Sequence, residues 1–136
     1  MLMIGLKTNI KLDEDSELKL KEILFKAASN HLSSKEQTTL LSIEDGAHIN
    51  LGVRETNDII FLDVNAYEKL PEIECNRFAT RVSETIEKEF GIRRENVYTI
   101  FEKSVYWAKN GSKQVLENNY IPVKNGMFVG SRVNKK

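Results

Sequence analysis

Apolar residues in this chain recur with two periods, and the changes of period mark its elements. Ile59, Ile60, Phe61, Leu62 and Val64 form an apolar run of strand length. A polar bend follows at Asn65 to Lys69, and Pro71 stands where the first turn of a helix tolerates a missing N–H. Cys75, Phe78, Ala79, Val82, Ile86 and Phe90 then repeat at three- and four-residue spacing, one apolar stripe of a helix. Gly91 suits the left-handed residue that closes it. Asn96 to Phe101, rich in β-branched and aromatic side chains, is the next strand. Asp58 to Glu102 therefore reads as a βαβ unit, the clearest object in the chain.

The same order precedes it. Leu2 to Ile10 alternates with an apolar bias and predicts a strand. A polar, acidic lead-in, Leu12 to Ser16, suits a helix N-terminus electrostatically. Leu20, Ile23, Leu24, Ala27, Ala28 and Leu32 make the stripe of a helix from Ser16 to about His31. Thr38 to Ile43 is a strand, Asp45-Gly46 a turn, Ala47 to Val53 a short extra strand, and Arg54 to Asp58 a loop. Leu2 aligns with Ile59 and Leu41 with Tyr98, both 57 positions on; Leu20, Leu24 and Ala28 align with Phe78, Val82 and Ile86, 58 positions on. The expected fold is α+β: a tandem βαβ repeat (1–57 and 58–111) giving a four-stranded sheet with two helices on one face, each crossover right-handed.

Helices on one face leave the other exposed. The strands are apolar on both faces, since Ile59 and Phe61 alternate with Ile60 and Leu62. Symmetric self-association is the usual way to cover such a face. Residues 112–136 form a C-terminal extension. In it Tyr120–Val123 and Met127–Val129 flank Lys124-Asn125-Gly126 with hairpin spacing, and the stretch also suits an arm clasping a neighbouring subunit.

Composition narrows the classes of function. The 136 residues carry 20 Lys+Arg and 20 Asp+Glu, so no excess charge points to nucleic acid or to an anionic membrane. No apolar run approaches the ~20 residues of a membrane span. One cysteine, Cys75, excludes an internal disulfide and fits a reducing compartment, so the expected location is cytoplasmic. Cys75 lies on the apolar stripe and reads as a buried structural thiol. His31 and His48 are too far apart in sequence to read as a metal pair, and Gly5, Gly46 and Gly52 are isolated rather than a phosphate loop. No metal and no cofactor are expected.

Tandem βαβ units, a strand ending Asn96-Val97-Tyr98-Thr99-Ile100-Phe101, a following Tyr106-Trp107 with Asn110-Gly111, and an opening Met1 to Ile10 that contains Thr8-Asn9 together form a pattern. Over residues 1 to about 111 it resembles the macrophage migration inhibitory factor branch of the tautomerase superfamily. The resemblance implies a homotrimer whose three sheets form a barrel, with Ile49 to Val53 extending a neighbour's sheet. It also implies keto–enol proton transfer on a small aromatic 2-oxo acid by an N-terminal proline. Here Leu2 occupies the proline's place and is too bulky for ordinary removal of Met1, so the amine is displaced by one residue. The expectation is a binding or interaction protein without the proline chemistry; the alternative is an active tautomerase using the Met1 amine.

The candidate residues each have two readings. Met1 and Leu2 are either an altered proton shuttle or an ordinary apolar strand start. Lys35 is either the carboxylate-binding lysine that the resemblance implies or a solvated loop lysine. Val64 matches an apolar pocket residue, and Tyr98 matches a tyrosine contributed by the neighbouring subunit or else packs at an interface. Trp107 either walls the pocket or plugs the barrel end.

Overall fold

Strand β1 (Leu2–Thr8) buries Leu2, Ile4, Leu6 and Thr8 and turns Met3 and Lys7 outward. That is the period of two expected of a pleated strand with one covered face. The computed structural model describes residues 1–34, 38–55, 58–103, 107–109, 112–116 and 119–122. After β1 come α1 (Glu14–His31), β2 (Thr39–Glu44), β3 (Asn50–Leu51), β4 (Arg54–Glu55), β5 (Ile60–Ala66), α2 (Glu72–Phe90), a 3-10 turn (Arg94–Asn96) and β6 (Val97–Lys103). The four long strands form one sheet in the order β2-β1-β5-β6, with β1 parallel to β2, β5 parallel to β6, and β1 antiparallel to β5. This is the tandem βαβ architecture that the periodicities predict.

The repeat holds at a single spacing. Leu2 pairs with Thr39 and Ile60 with Val97, so both strands of the second unit lie 58 positions after those of the first (60 − 2, 97 − 39). The spacing of 57 expected for the strands is thus corrected to that of the helices. A one-residue slip would turn every strand side chain to the opposite face, and an Ile-Ile-Phe-Leu run conceals that phase because both its faces are apolar. The pairing also locates the internal symmetry. Gly5 lies opposite Asp63 across the antiparallel pair, and 63 − 5 is again 58, so the pseudo-twofold axis passes between them.

The helices cover one face. Leu20, Leu24, Ala27 and Ala28 of α1 and Phe78, Val82 and Ile86 of α2 pack on Leu2, Ile4, Leu6, Ile60, Leu62 and Val64. Phe78 meets Phe101 of β6 edge to face, with ring centroids 5.9 Å apart. Asp13 caps α1: its carboxylate accepts from the Ser16 N–H at 2.7 Å, and this hydrogen bond holds the carboxyl below its ordinary range. Pro71 stands one position before α2, at its N-cap rather than in the first turn. Gly91 closes α2 at φ +74°, its N–H donating to the Glu87 carbonyl. Cys75 is half-buried rather than part of the core, because the stripe enters the core only from Phe78 onward.

The face away from the helices carries Met3, Leu40, Tyr98 and Ile100 in the open, with Phe61 half-covered between them. Lys7 and Glu44 pair there at 4.0 Å. Asp63 lies on the same face between Gly5 and Ile100, and among the described residues its buried Oδ1 has no hydrogen-bond partner.

Two segments depart from expectation. The extra strand shrinks to Asn50–Leu51 and pairs with Arg54–Glu55, expected as loop, around a turn at Gly52 (φ +70°). Glycine at positive φ ends the alternating run there. Leu51 and Val53 are exposed at this tip. Beyond β6, β7 (Trp107–Lys109), β8 (Ser112–Leu116) and β9 (Asn119–Pro122) form an antiparallel sheet, with a register shift between Gln114 and Leu116. The expected turn at 124–126 and its second arm lie outside the described residues. Among the described residues no helix is long and apolar enough to cross a membrane.

Candidate functional site

Because β1 and β5 run antiparallel, the start of β1 lies beside the end of β5. Leu2 pairs with Ala66, and the Tyr67 N–H donates to the Met1 carbonyl at 3.1 Å. The C-terminus of α1 and the N-terminus of α2 reach the same end of the sheet. Between these four chain segments lies a pocket of about 390 Å³, walled by Met1, Leu2, the residues 30–34 that end α1, the residues 66–71 that lead into α2, and Glu74.

The chain leaves α1 through a strained residue. Leu32 and Ser34 both donate to the Ala28 carbonyl, at 2.9 and 3.3 Å, which puts Ser33 at φ +54°. Its repeat equivalent, 58 positions on, is Gly91 at φ +74°. Glycine takes this conformation freely, whereas an L-residue pays roughly 1–2 kcal/mol for it. Beyond the turn the Ser34 and Thr39 hydroxyls share a hydrogen bond of 2.6 Å, both side chains buried. Ser33→Gly is expected to stabilise the fold by roughly 0.5–1 kcal/mol, the strain relieved less the added freedom of the unfolded chain. Urea unfolding at constant m-value measures it; a destabilised variant would mean that the serine side chain supports the turn.

Polar groups gather on the helix side of the pocket. His31 is the last residue of α1 and Glu74 lies in the first turn of α2. The imidazole Nδ1 is 3.5 Å from Glu74 Oε1, and Arg77 donates to Glu74 Oε2 at 3.2 Å. Lys69 adds an exposed ammonium to the rim.

The repeat-equivalent place at the other end of the sheet is tied together. Ile59 stands where Met1 stands, and Asn9 where Tyr67 does, each pair 58 apart. The Ile59 N–H donates to Asn9 Oδ1 at 3.0 Å, and the Thr8 hydroxyl donates to the Ile59 carbonyl at 2.7 Å. Thr8 also accepts from the Ile10 N–H at 3.2 Å. The Thr-Asn pair thus closes one end of the symmetric sheet.

The residues singled out from the sequence are dispersed. Met1 and Leu2 line the pocket, but Leu2 is buried in the core. Val64 is 0% exposed and points among the helices; at that end of β5 the wall is formed by Ala66 and Tyr67. Tyr98 stands on the open face of β6, two strands from β1, and does not meet Met1 within one chain. Trp107 begins β7, pairing with Gln114. Lys35 and Tyr106 lie outside the described residues. His31 and Glu74 were not singled out together, and their signal is topological: the end of the first helix and the start of the second must meet in a tandem βαβ fold.

Other features are weaker. A wider groove of about 540 Å³ between the outer faces of α1 and α2 is lined by charges of both signs and bridged by Lys19–Glu89 at 3.7 Å, as a solvated helix pair would be. Burial, with the nearby Glu72 carboxylate, pushes the Cys75 thiol up, which disfavours a nucleophilic thiolate. No cluster of metal-ligating side chains exists among the described residues.

No protein-family model matches this sequence, and no curated protein matches it. Solved structures do. MIF2 of Leishmania major superposes with a TM-score of 0.73 at 16% identity, covering 84% of this chain and 97% of that one. The macrophage migration inhibitory factor homologue of Prochlorococcus marinus gives 0.70 at 22% identity, over 82% and 97%. A protein crystallised after inactivation by 2-oxo-3-pentynoate gives 0.69 at 15% identity, over 80% and 93%. Likeness at such identities is a likeness of fold. This chain has the fold of macrophage migration inhibitory factor-like proteins.

Proposed function

We propose that this chain is a homotrimeric binding protein for a small aromatic 2-oxo acid, working in the cytoplasm without an N-terminal proline. The observation that carries the reading is the pocket at the start of β1. It is open, it is bordered by the Lys69 ammonium, and at the position where the resemblance places the proline it has Leu2, whose side chain is committed to the core. The fold likeness to a protein that 2-oxo-3-pentynoate inactivates supports the ligand class. Met3, Leu40, Tyr98 and Ile100 on the uncovered sheet face support self-association. In the trimer Tyr98 would approach a neighbour's pocket, with Lys35 and Trp107 as further ligand contacts. Residues 1–111 would form the tautomerase-like domain and residues 112–136 an extension clasping the next subunit.

A second reading, an active tautomerase using the Met1 amine, is favoured by the place of Met1 in the pocket wall. Calorimetric titration with phenylpyruvate and ketonisation of its enol separate the two. Binding is expected, with a ketonisation rate that acetylation of the N-terminal amine leaves unchanged. Absence of binding would remove the first reading, and loss of turnover on acetylation would establish the second.

A further inference from the structure

A helix C-terminus exposes carbonyls and favours a cationic or hydrogen-bond-donating side chain, whereas a helix N-terminus favours a carboxylate. His31 and Glu74 occupy such positions on two different helices and meet at the pocket. Glu74 uses both oxygens, Oε1 toward His31 Nδ1 at 3.5 Å and Oε2 to Arg77 at 3.2 Å, so the carboxylate is held from two sides. A proton on Nδ1 facing Glu74 leaves Nε2 with its lone pair. The imidazole is only 19% exposed, and His31 belongs to the pocket wall. A histidine oriented by a carboxylate, with its other nitrogen available at a cleft, is the arrangement that general acid–base chemistry needs.

We propose that His31, oriented by Glu74, is the acid–base group of this pocket and moves a proton between oxygen and carbon of a bound 2-oxo acid. The proposal rests on the ligand class given under the proposed function, but it assigns the chemistry to a different group from the chain's N-terminus. Lys69, on the pocket rim, receives the substrate carboxylate. Starting from the enol, Nε2 takes the hydroxyl proton and leaves an enolate. The C2=C3 electron pair then takes a proton from Nε2–H at C3 as the C2=O double bond forms, giving a new C3–H bond and returning the imidazole to its neutral form. One O–H bond is broken and one C–H bond made; nothing is oxidised or reduced. Glu74 is a positioning residue: it steadies the imidazolium that exists between the two transfers and holds the Nδ1 side of the ring.

The experiment uses the full chain and enol phenylpyruvate as the probe, with calorimetric binding of phenylpyruvate, kcat, KM and the thermal midpoint measured on each variant. Wild type is expected to accelerate ketonisation. His31→Gln should lower kcat by about 100-fold or more, the usual weight of a general acid–base group. KM should stay within about threefold, which separates lost chemistry from lost binding. Glu74→Gln should lower kcat by about tenfold with KM similarly held, a split that a purely structural ion pair between two helices would not produce. His31→Asn provides a second test of the same group should the glutamine disturb packing. A kcat for folded His31→Gln and His31→Asn within about threefold of wild type would overturn the proposal. Phenylpyruvate binding without turnover by wild type would remove the shuttle and leave the binding reading standing, whereas absence of binding would remove both.

Discussion

An aspartate in place of Ile100 is expected to leave the chain folded but monomeric. Ile100 is 40% exposed on the sheet face turned away from the two helices, and its partner on β5 is Asp63. Asp63 already holds one carboxylate oxygen buried without a hydrogen-bond partner among the described residues. A second carboxylate directly opposite adds like-charge repulsion to a surface that association must dehydrate. An uncompensated buried charge costs roughly 3–5 kcal/mol, enough to lower an association constant by about three orders of magnitude. The helix-side core is untouched, so far-UV circular dichroism should be unchanged. Ile100→Lys should do less harm, since an ammonium at that register faces the Asp63 carboxylate. Sedimentation equilibrium of the two variants reads the difference; a trimer surviving Ile100→Asp would show that another surface holds the subunits.

The second large effect is in the core. Phe78 is 0% exposed and meets Phe101 edge to face, joining α2 to the edge strand β6. Its replacement by alanine removes the ring's transfer free energy and leaves a cavity that rigid neighbours fill only in part, a cost of about 3–5 kcal/mol. That is a large share of the ~5–15 kcal/mol that holds an ordinary domain together. Cys75→Ser, one turn earlier on the same stripe, changes a half-buried side chain and should cost under ~1 kcal/mol. Urea unfolding of both variants reads the contrast. A cost for Phe78→Ala below about 1.5 kcal/mol would mean that α2 repacks freely on the sheet, against the behaviour of close-packed interiors.

Much of this architecture is legible in the sequence because helix and strand periods are local signals. The stripe Phe78, Val82, Ile86 and the closing Gly91 read directly, and the helical offset of 58 matches the one the strands obey. The strand phase is less legible: Ile59 to Leu62 offers no polar residue to mark the outer face, and the mark comes only with Asp63 and Asn65, which pair with Gly5 and Met3 of β1. Pro71 stands one residue before the position its sequence context suggests, because a fixed φ near −60° serves a cap as well as a first turn. At the site, Met1 and Leu2 are reached through a resemblance, whereas Val64 lies two residues before the wall residue Ala66 on the same face of β5, buried in the core. His31 and Glu74 lie 43 residues apart (74 − 31), and no periodicity links them. Tertiary topology alone makes them neighbours.

The tie between Thr8, Asn9 and Ile59 has a consequence for stoichiometry. A duplicated fold offers two symmetry-equivalent strand starts, and hence room for two ligands per chain. One of those starts is bound into the fabric by a hydroxyl and an amide from its own neighbour strand. The other ends in a pocket. A titration on this protein should therefore saturate at one equivalent per polypeptide, and an ancestral symmetry that remains visible in the backbone should be invisible in the binding isotherm.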